Sequence, residues 1–117
     1  MLLIGSAAIK HWYPDFPREP RDVDYILEEG EQVSQSDKRV EICKNEVLKG
    51  YKGVLSADDL YTLKISHAIG WDIKWEKHIY DIVFLKNKGC KINKELLWKL
   101  YDYWVQYHGE NKRSNLD

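Results

Sequence analysis

Gly5 and Ser6 are the first residues whose type and position suggest chemistry, because they directly follow the apolar run Leu2–Ile4. A pair of small residues between a strand and a helix exposes backbone N–H groups and lets a phosphate approach closely. We therefore consider Gly5 and Ser6 as substrate-binding residues. Gly-Ser is also common in ordinary turns, so a tight turn without a ligand is the alternative.

Asp22 and Asp24 form a second candidate group, one residue apart in the segment RDVDYI. In a strand, residues i and i+2 point to the same face, which places both carboxylates on one side and turns Val23 toward the core. Two like charges on one face are unfavourable without a cation, and Mg²⁺ prefers carboxylate and phosphate oxygens. The alternative is an acidic strand end in water, paired with Arg18 and Arg21.

Glu41 is the candidate for a third carboxylate, since a two-metal site places one near the attacking hydroxyl. It lies between Val40 and Ile42 in a segment that alternates like a strand. If this strand pairs with the strand of Asp24, Glu41 can share the face of the aspartates. An outward-facing glutamate on a half-exposed strand is the alternative.

Lys64 and Asp81 are charged residues on helix faces that otherwise should pack against a core. Lys64 lies one turn after Leu60 and one turn before Ala68, and Asp81 lies one turn before Leu85. A buried charge needs a partner or a ligand. One interpretation is a structural ion pair between two helices, and the other is a lysine that contacts a triphosphate and is oriented by the aspartate. The two interpretations are compatible.

The elements that position these residues divide the chain into a mixed first half and a helical second half. Apolar runs and prolines predict strands at Leu2–Ile4, Val23–Leu27 and Arg39–Cys43, a helix capped by Ser6, a hairpin between the second and third strands, and a loop at Glu28–Lys38. Caps and periodicity predict helices at Ser56–Gly70, Ile73–Asn87 and Lys94–His108, with Asn93 as the cap of the last. The segment Asn45–Leu55 has no clear period. The apolar side chains that we place inward include Trp12, Ile69, Ile79, Val83 and Val105.

The 117 residues predict one α+β domain, with an α/β half at 1–55, a helical half at 56–108 and a flexible tail at 109–117. A net charge of −1 argues against a protein that coats nucleic acid electrostatically and against a polybasic membrane binder. Cys43 and Cys90 form no C-x-x-C motif, which favours a reduced, cytoplasmic protein. We expect no membrane span, because the sequence contains no long apolar stretch. A zinc site that combines them with His67 and His78 matches no common spacing.

These groups together resemble the DNA polymerase β-like nucleotidyltransferase superfamily. Gly5-Ser6 followed by Asp22-Val23-Asp24 resembles its signature. The segments DLYTLKISHAIG and WEKHIYDIVFL resemble the C-terminal motif of abortive-infection and toxin-type nucleotidyltransferases. The positions of that motif fall on Asp59, Leu60, Lys64, Lys77, Asp81 and Ile82. The resemblance covers residues 1 to about 87 in two blocks.

The resemblance implies a small mixed sheet with C-terminal helices, a phosphate-binding turn at Gly5-Ser6 and Mg²⁺ held by Asp22 and Asp24. Lys64 would contact the phosphates of an NTP, and a nucleotidyl group would be transferred to a hydroxyl of RNA, protein or a small molecule. The segment between the second strand and the helix of Lys64 is short compared with family members, so we expect a minimal form, such as one encoded by a virus or mobile element.

A second function class also fits the sequence: a catalytically inactive nucleotidyltransferase-like protein that binds a nucleotide or a protein, as an inhibitor or antitoxin does. A protein partner or a homo-oligomer is then expected. Eight ring-bearing residues are candidates for its contact surface: His11, Trp12, Tyr13, Phe16, Tyr101, Tyr103, Trp104 and Tyr107. A plain structural module in a larger assembly is the third reading.

Overall fold

The computed structural model describes residues 1–33, 39–70 and 76–116. Along these ranges the chain forms, in order, β1 (Leu2–Ile4), α1 (Gly5–Trp12), β2 (Val23–Ile26), β3 (Val40–Cys43), β4 (Gly53–Val54), α2 (Ala57–Gly70), α3 (Glu76–Asn87) and α4 (Lys94–Leu116). The fold is α+β, as the sequence predicts. Parts of two predicted elements, residues 34–38 of the loop and 73–75 of the second long helix, lie outside the described residues.

The four strands form one mixed sheet in the order β3-β2-β1-β4. β2 runs antiparallel to β1, whereas β4 is parallel to β1 and β3 is parallel to β2. The predicted hairpin between the second and third strands is therefore wrong. A tight hairpin can join only antiparallel strands, and a parallel pair needs a long crossover connection.

The core face of the sheet is defined by the strand register. Leu2 pairs with Ile26, and Ile4 pairs with Asp24, so all four side chains lie on one face. Leu2, Ile4 and Ile26 are buried on that face. The expectation that Val23 turns to the core and Asp24 away from it is wrong, because strand alternation places Asp24 on the face of the buried Ile26.

Helix α1 packs on the sheet and supplies much of the first core. Ala8 and Ile9 are fully buried, and Phe16 in the proline-rich loop after the helix is also 0% exposed. The helix begins two residues earlier than predicted. Ile4 occupies the cap position without a side-chain hydrogen bond, so Ser6 lies inside the first turn and is not the cap.

The chain divides into two compact units, Met1–Leu60 and Tyr61–Asp117, with the boundary inside α2. The predicted cap of α2 is confirmed, since the Asp59 N–H donates to Ser56 Oγ at 3.2 Å. The predicted cap of α4 is confirmed too, because Asn93 Oδ1 accepts from the Leu96 N–H at 3.2 Å. α4 extends to Leu116, so the predicted end near His108 is wrong.

The core of the second unit contains apolar residues from all three helices. Its buried members include Leu63, Leu85, Leu96, Leu100 and Trp104. Five side chains that we expected inside, one of them in the first unit, are exposed by two fifths or more: Trp12, Ile69, Ile79, Val83 and Val105. Within the described ranges, no helix is long and apolar enough to cross a membrane.

Candidate functional site

The turn from β1 into α1 brings the backbone of Gly5 against the carboxylate of Asp24. Gly5 has φ +75°, and a Cβ added there would lie 2.5 Å from Asp24 Oδ2. That separation is far below van der Waals contact, and the backbone angle belongs to the left-handed region that L side chains rarely adopt. Only glycine lets the strand enter the helix directly while Asp24 lies against the turn.

Asp24 and Glu41 are direct neighbours across the parallel pair of β2 and β3. Paired residues on adjacent strands project to the same face, so the predicted common face of these two carboxylates is confirmed. Asp22 lies one residue before β2 and is exposed, as is Glu41, whereas Asp24 is half-buried. The structure thus places Asp24 next to both Gly5 and Glu41, and Asp22 lies one residue before the start of β2.

The negative potential of this face reaches the thiol of Cys43, two residues after Glu41. The pKa of Cys43 is raised to about 11, chiefly by burial and then by the negative charges of Asp24 and Glu41. The thiol therefore stays protonated at neutral pH. It also senses the charge of the two carboxylates, which makes it an internal probe of their state.

The carboxylates of this face are a donor set that a Mg²⁺ ion could share with a phosphate ligand. In the part of the chain that the structure describes, no group of three or more His, Cys, Asp or Glu side chains is arranged to hold a metal ion. Mg²⁺ usually takes only one or two protein carboxylates and completes its octahedron with phosphates and water. Asp24, with Asp22 or Glu41, would be enough for such a shared site.

Asp24 also has a structural role at this position. Helix α1 begins at Gly5, it has no acidic residue in its first turn, and its cap makes no side-chain hydrogen bond. An anion near a helix N-terminus is stabilised by the unpaired N–H groups and the helix dipole. The Asp24 carboxylate therefore stabilises the start of α1 from a neighbouring strand, whatever else it binds.

The second unit holds a separate cluster of buried charges between α2 and α3. Lys64 Nζ lies 3.2 Å from Asp81 Oδ2, and their side chains are 9% and 0% exposed. The inward position of Lys64 that its helix face predicts is confirmed. The structural interpretation, an ion pair that joins two helices, is therefore observed, while contact with a nucleotide stays a prediction.

Two histidines complete this cluster, and the sequence reasoning gave them no role in it. Lys64 Nζ also lies 3.2 Å from His78 Nδ1. The ring of His67 lies 6.0 Å from that of His78 and 4.9 Å from that of Trp104. His67 lies three residues after Lys64 on α2, and His78 lies three residues before Asp81 on α3. Side chains at this spacing share one face of a helix, so the spacing could have identified both histidines as members of the cluster.

The pKa of His67 is lowered to about 3. Burial is the largest cause, followed by the positive charge of Lys64 and then by His78. His67 is therefore neutral throughout the physiological range. The helix interface is further fixed by Trp104 Nε1, which donates to Ser66 Oγ at 3.2 Å, and by Ser66 Oγ, which donates to the Leu63 carbonyl at 2.6 Å.

An open cavity of about 350 Å³ lies in the first unit, where the parallel strands β2 and β3 end. Ligands of α/β proteins often bind outside the carboxyl ends of parallel strands. The lining combines apolar side chains, three carboxylates and two ammonium groups: Ile26, Leu27, Glu28, Glu29, Ile42, Cys43, Lys44, Asn45, Glu46 and Lys49. Cys43 thus connects the cavity to the acidic face of Asp24 and Glu41.

Comparison with known proteins identifies one family. A model described as a domain of unknown function (DUF7277) matches residues 1–116. The chain belongs to the DUF7277 family. Neither a curated protein nor a solved structure matches it. Membership assigns no activity, so the function of this DUF7277 chain has to be argued from its own residues.

In this DUF7277 chain the predicted site residues fall in two groups. Gly5, Ser6, Asp24 and Glu41 lie in the first unit, around the start of α1, and Asp22 precedes their strand. Lys64 and Asp81 lie in the second unit as a buried pair.

Proposed function

We propose that the protein is a Mg²⁺-dependent nucleotidyltransferase that transfers a nucleotidyl group from an NTP to a hydroxyl of an RNA, protein or small-molecule acceptor. One observation carries the proposal. Gly5 adopts a conformation that places the Asp24 carboxylate against the turn where α1 begins, with Glu41 paired beside Asp24. A phosphate donor site adjacent to metal-binding carboxylates is what a nucleotidyltransferase needs.

Each residue of the candidate site would have one role in binding or catalysis. The N–H groups at Gly5 and Ser6, free of intrahelical partners by position, would bind phosphate oxygens. Asp24 and Asp22 would hold Mg²⁺, and Glu41 would lie beside the acceptor hydroxyl. Bound Mg²⁺ would neutralise charge that develops on the phosphate oxygens. The acceptor hydroxyl would give up its proton to Glu41 or to water while its oxygen displaces pyrophosphate from the α-phosphorus in line, so positioning and electrostatics would supply most of the catalysis.

The role proposed for Lys64, with Asp81 as its orienting partner, is contact with the nucleotide phosphates. Its support is the resemblance of both helices to the nucleotidyltransferase motif. A lysine ammonium is a compact charge that suits phosphate. The cavity at the ends of β2 and β3 is our candidate for the acceptor site, because Cys43 connects it to the acidic face. We place the activity in the cytoplasm, in a toxin–antitoxin or phage-defence setting.

Thermal stability with nucleotides tests the proposal. We expect one of the four NTPs with Mg²⁺ to stabilise the protein by about 2.7 kcal/mol at a hundredfold excess over Kd, which is roughly 10 °C in Tm. Asp24→Asn should remove the Mg²⁺-dependent part of this shift. Asp102→Asn, the same chemical change at an exposed position of α4, should leave it unchanged.

A nucleotidyl transfer assay with α-labelled NTP and total RNA or protein then identifies the acceptor. No stabilisation by any NTP, with or without Mg²⁺, would rule out the enzyme. Stabilisation that is unchanged in an Asp22→Asn, Asp24→Asn double variant would rule out these aspartates as the metal ligands.

The second candidate is a nucleotidyltransferase-like binding protein without activity, such as an inhibitor. Exposed aromatic side chains favour it, since Trp98 on α4 is 62% exposed and Trp12 and Tyr107 are each 44% exposed. Phe16 and Trp104, in contrast, are core residues at 0% and 6%. Nucleotide binding without transfer, or a stable complex with a host protein or a second copy that Trp98→Ser abolishes, would select this function.

A further inference from the structure

The Lys64 ammonium lies at equal distance from two acceptors. Its Nζ is 3.2 Å from Asp81 Oδ2 and 3.2 Å from His78 Nδ1. An ammonium group can only donate hydrogen bonds, so Nδ1 of His78 has to accept one. An imidazole nitrogen accepts only when it carries no proton. The contact therefore requires a neutral His78 with its proton on Nε2.

The surroundings of His78 make this requirement strict. From α2 it is faced by the Lys64 ammonium and by the ring of His67, and its own helix supplies the Asp81 carboxylate. The aromatic group that α4 adds to this cluster is Trp104, against His67, and an indole does not titrate in water. Among the charged contacts described for these helices, the Asp81 carboxylate balances the Lys64 ammonium, so a proton on His78 would add a second positive charge.

The solvent exposure of Asp81, Lys64 and His78 suits a contact that depends on whether His78 carries a proton. Asp81 is 0% exposed and Lys64 is 9% exposed, so a bare charge at either position is costly. His78 is half-buried, which gives its ring access to protons from solvent. A proton on Nδ1 would turn the acceptor into a donor and place two like charges at hydrogen-bond distance.

We propose that His78 is a positioning residue: in its neutral form it holds the Lys64 ammonium beside Asp81, and it releases the ammonium from this position when it takes up a proton. Where Lys64 contacts nucleotide phosphates, which rests on the proposed function, nucleotide binding weakens as pH falls through the protonation of His78. The proposal adds a regulatory residue to the buried pair.

The first experiment needs no nucleotide. In ¹⁵N NMR of the full chain at pH 7.5, the His78 ring should be the neutral Nε2–H tautomer, and the Lys64 Nζ and Cε signals should shift at the pH where that ring titrates. In His78→Asn the Lys64 signals should no longer follow that titration, because Asn Oδ1 accepts at the position of Nδ1 without binding a proton. An Nδ1–H tautomer, an imidazolium at pH 7.5, or Lys64 signals that ignore the titration would overturn the proposal.

The second experiment measures binding of each of the four Mg·NTPs by calorimetry across pH. Wild-type affinity should fall below the pH where His78 titrates, whereas His78→Asn should keep its affinity there. His78→Phe should bind roughly tenfold more weakly at pH 7.5, the loss expected for one charge-assisted hydrogen bond. Asp102→Asn, at an exposed position of α4, is the control and should follow the wild type.

The outcomes separate the two claims. Wild-type affinity that does not change with pH, or His78→Phe with unchanged affinity, would overturn the role of His78 in nucleotide binding. If the wild type binds no nucleotide while the tautomer and the Lys64 titration are as expected, the proposed function fails and the positioning of Lys64 by His78 stands.

Discussion

Replacing Gly5 by alanine is the sharpest test of the candidate site, because the structure gives both the strain and the displacement. The new Cβ would meet Asp24 Oδ2 at 2.5 Å, whereas ordinary contact begins at 3.4 Å, so the carboxylate has to move by 3.4 − 2.5 = 0.9 Å. The backbone at φ +75° adds a strain of roughly 1–2 kcal/mol for an L-residue. The variant combines a modest loss of stability with a misplaced carboxylate.

The displacement of the Asp24 carboxylate should weaken ligand binding more than it lowers the stability of the fold. Metal sites tolerate shifts of only about 0.2 Å in ligand distance, and a misplacement near 1 Å costs on the order of 100-fold in a reacting site. If Kd for Mg·NTP rises about 100-fold, the ligand stabilisation at the original concentration falls from about 2.7 to about 0.4 kcal/mol. Thermal unfolding with and without Mg·NTP measures both quantities.

Gly30→Ala is the matched control. Gly30 has φ +85°, and an added Cβ would meet nothing within 4 Å. It therefore imposes the same type of backbone strain without touching Asp24, and its nucleotide response should equal that of the wild type. Equal losses of nucleotide stabilisation in Gly5→Ala and Gly30→Ala would refute the argument that Gly5 is needed to place Asp24.

Three further predictions follow from the electrostatics. Asp24→Asn should lower the pKa of Cys43 below about 11, because a negative charge near the thiol is removed. The pH dependence of the alkylation rate of Cys43 measures this pKa, and an unchanged value would contradict the prediction. His67 has a folded pKa near 3 and an ordinary value of 6.5, so the unfolded chain binds its proton first. The contribution of neutral His67 to the free energy of unfolding is fully present above pH 6.5 and is lost as the pH drops toward 3, by up to about 1.4 kcal/mol per pH unit. His67→Phe should flatten this pH dependence, which urea unfolding measures. Lys64→Met should cost about 3–5 kcal/mol, because Asp81 stays buried without its cation, and Lys64→Met with Asp81→Leu should recover most of it; a double variant as unstable as the single one would contradict the ion-pair argument.

Local signals in the sequence predicted the helices of the second unit well. Ser56 and Asn93 precede the first turns of α2 and α4, where their side-chain oxygens can accept hydrogen bonds from backbone N–H groups. Both of these caps are formed in the structure. The inward position of Lys64 followed from helical periodicity alone. Ile79 and Val83 are exposed despite the same periodicity, because the composition of a short helix does not tell which of two apolar sides meets a neighbour.

The sheet shows where local reasoning fails. The strands at Val23–Ile26 and Val40–Cys43 were predictable as segments, but their parallel direction depends on the path of the connection between them. Val23 and Asp24 were assigned to the wrong faces, since an acidic side chain was expected away from the core. The register places Asp24 beside Ile4, where the start of α1 gives the charge a partner.

The sequence by itself determined the types of all the elements except β4, which lies in the segment without a clear period, and it also determined the capping residues of α2 and α4 and the two groups of candidate residues. Those depend on side-chain chemistry within a few positions of the chain. Tertiary structure alone decided that Glu41 stands beside Asp24, that Asp24 lies against Gly5, and that His78 meets Lys64. Each of these contacts joins residues that are far apart in the chain, and such contacts are fixed by how strands pair and helices pack rather than by local preference.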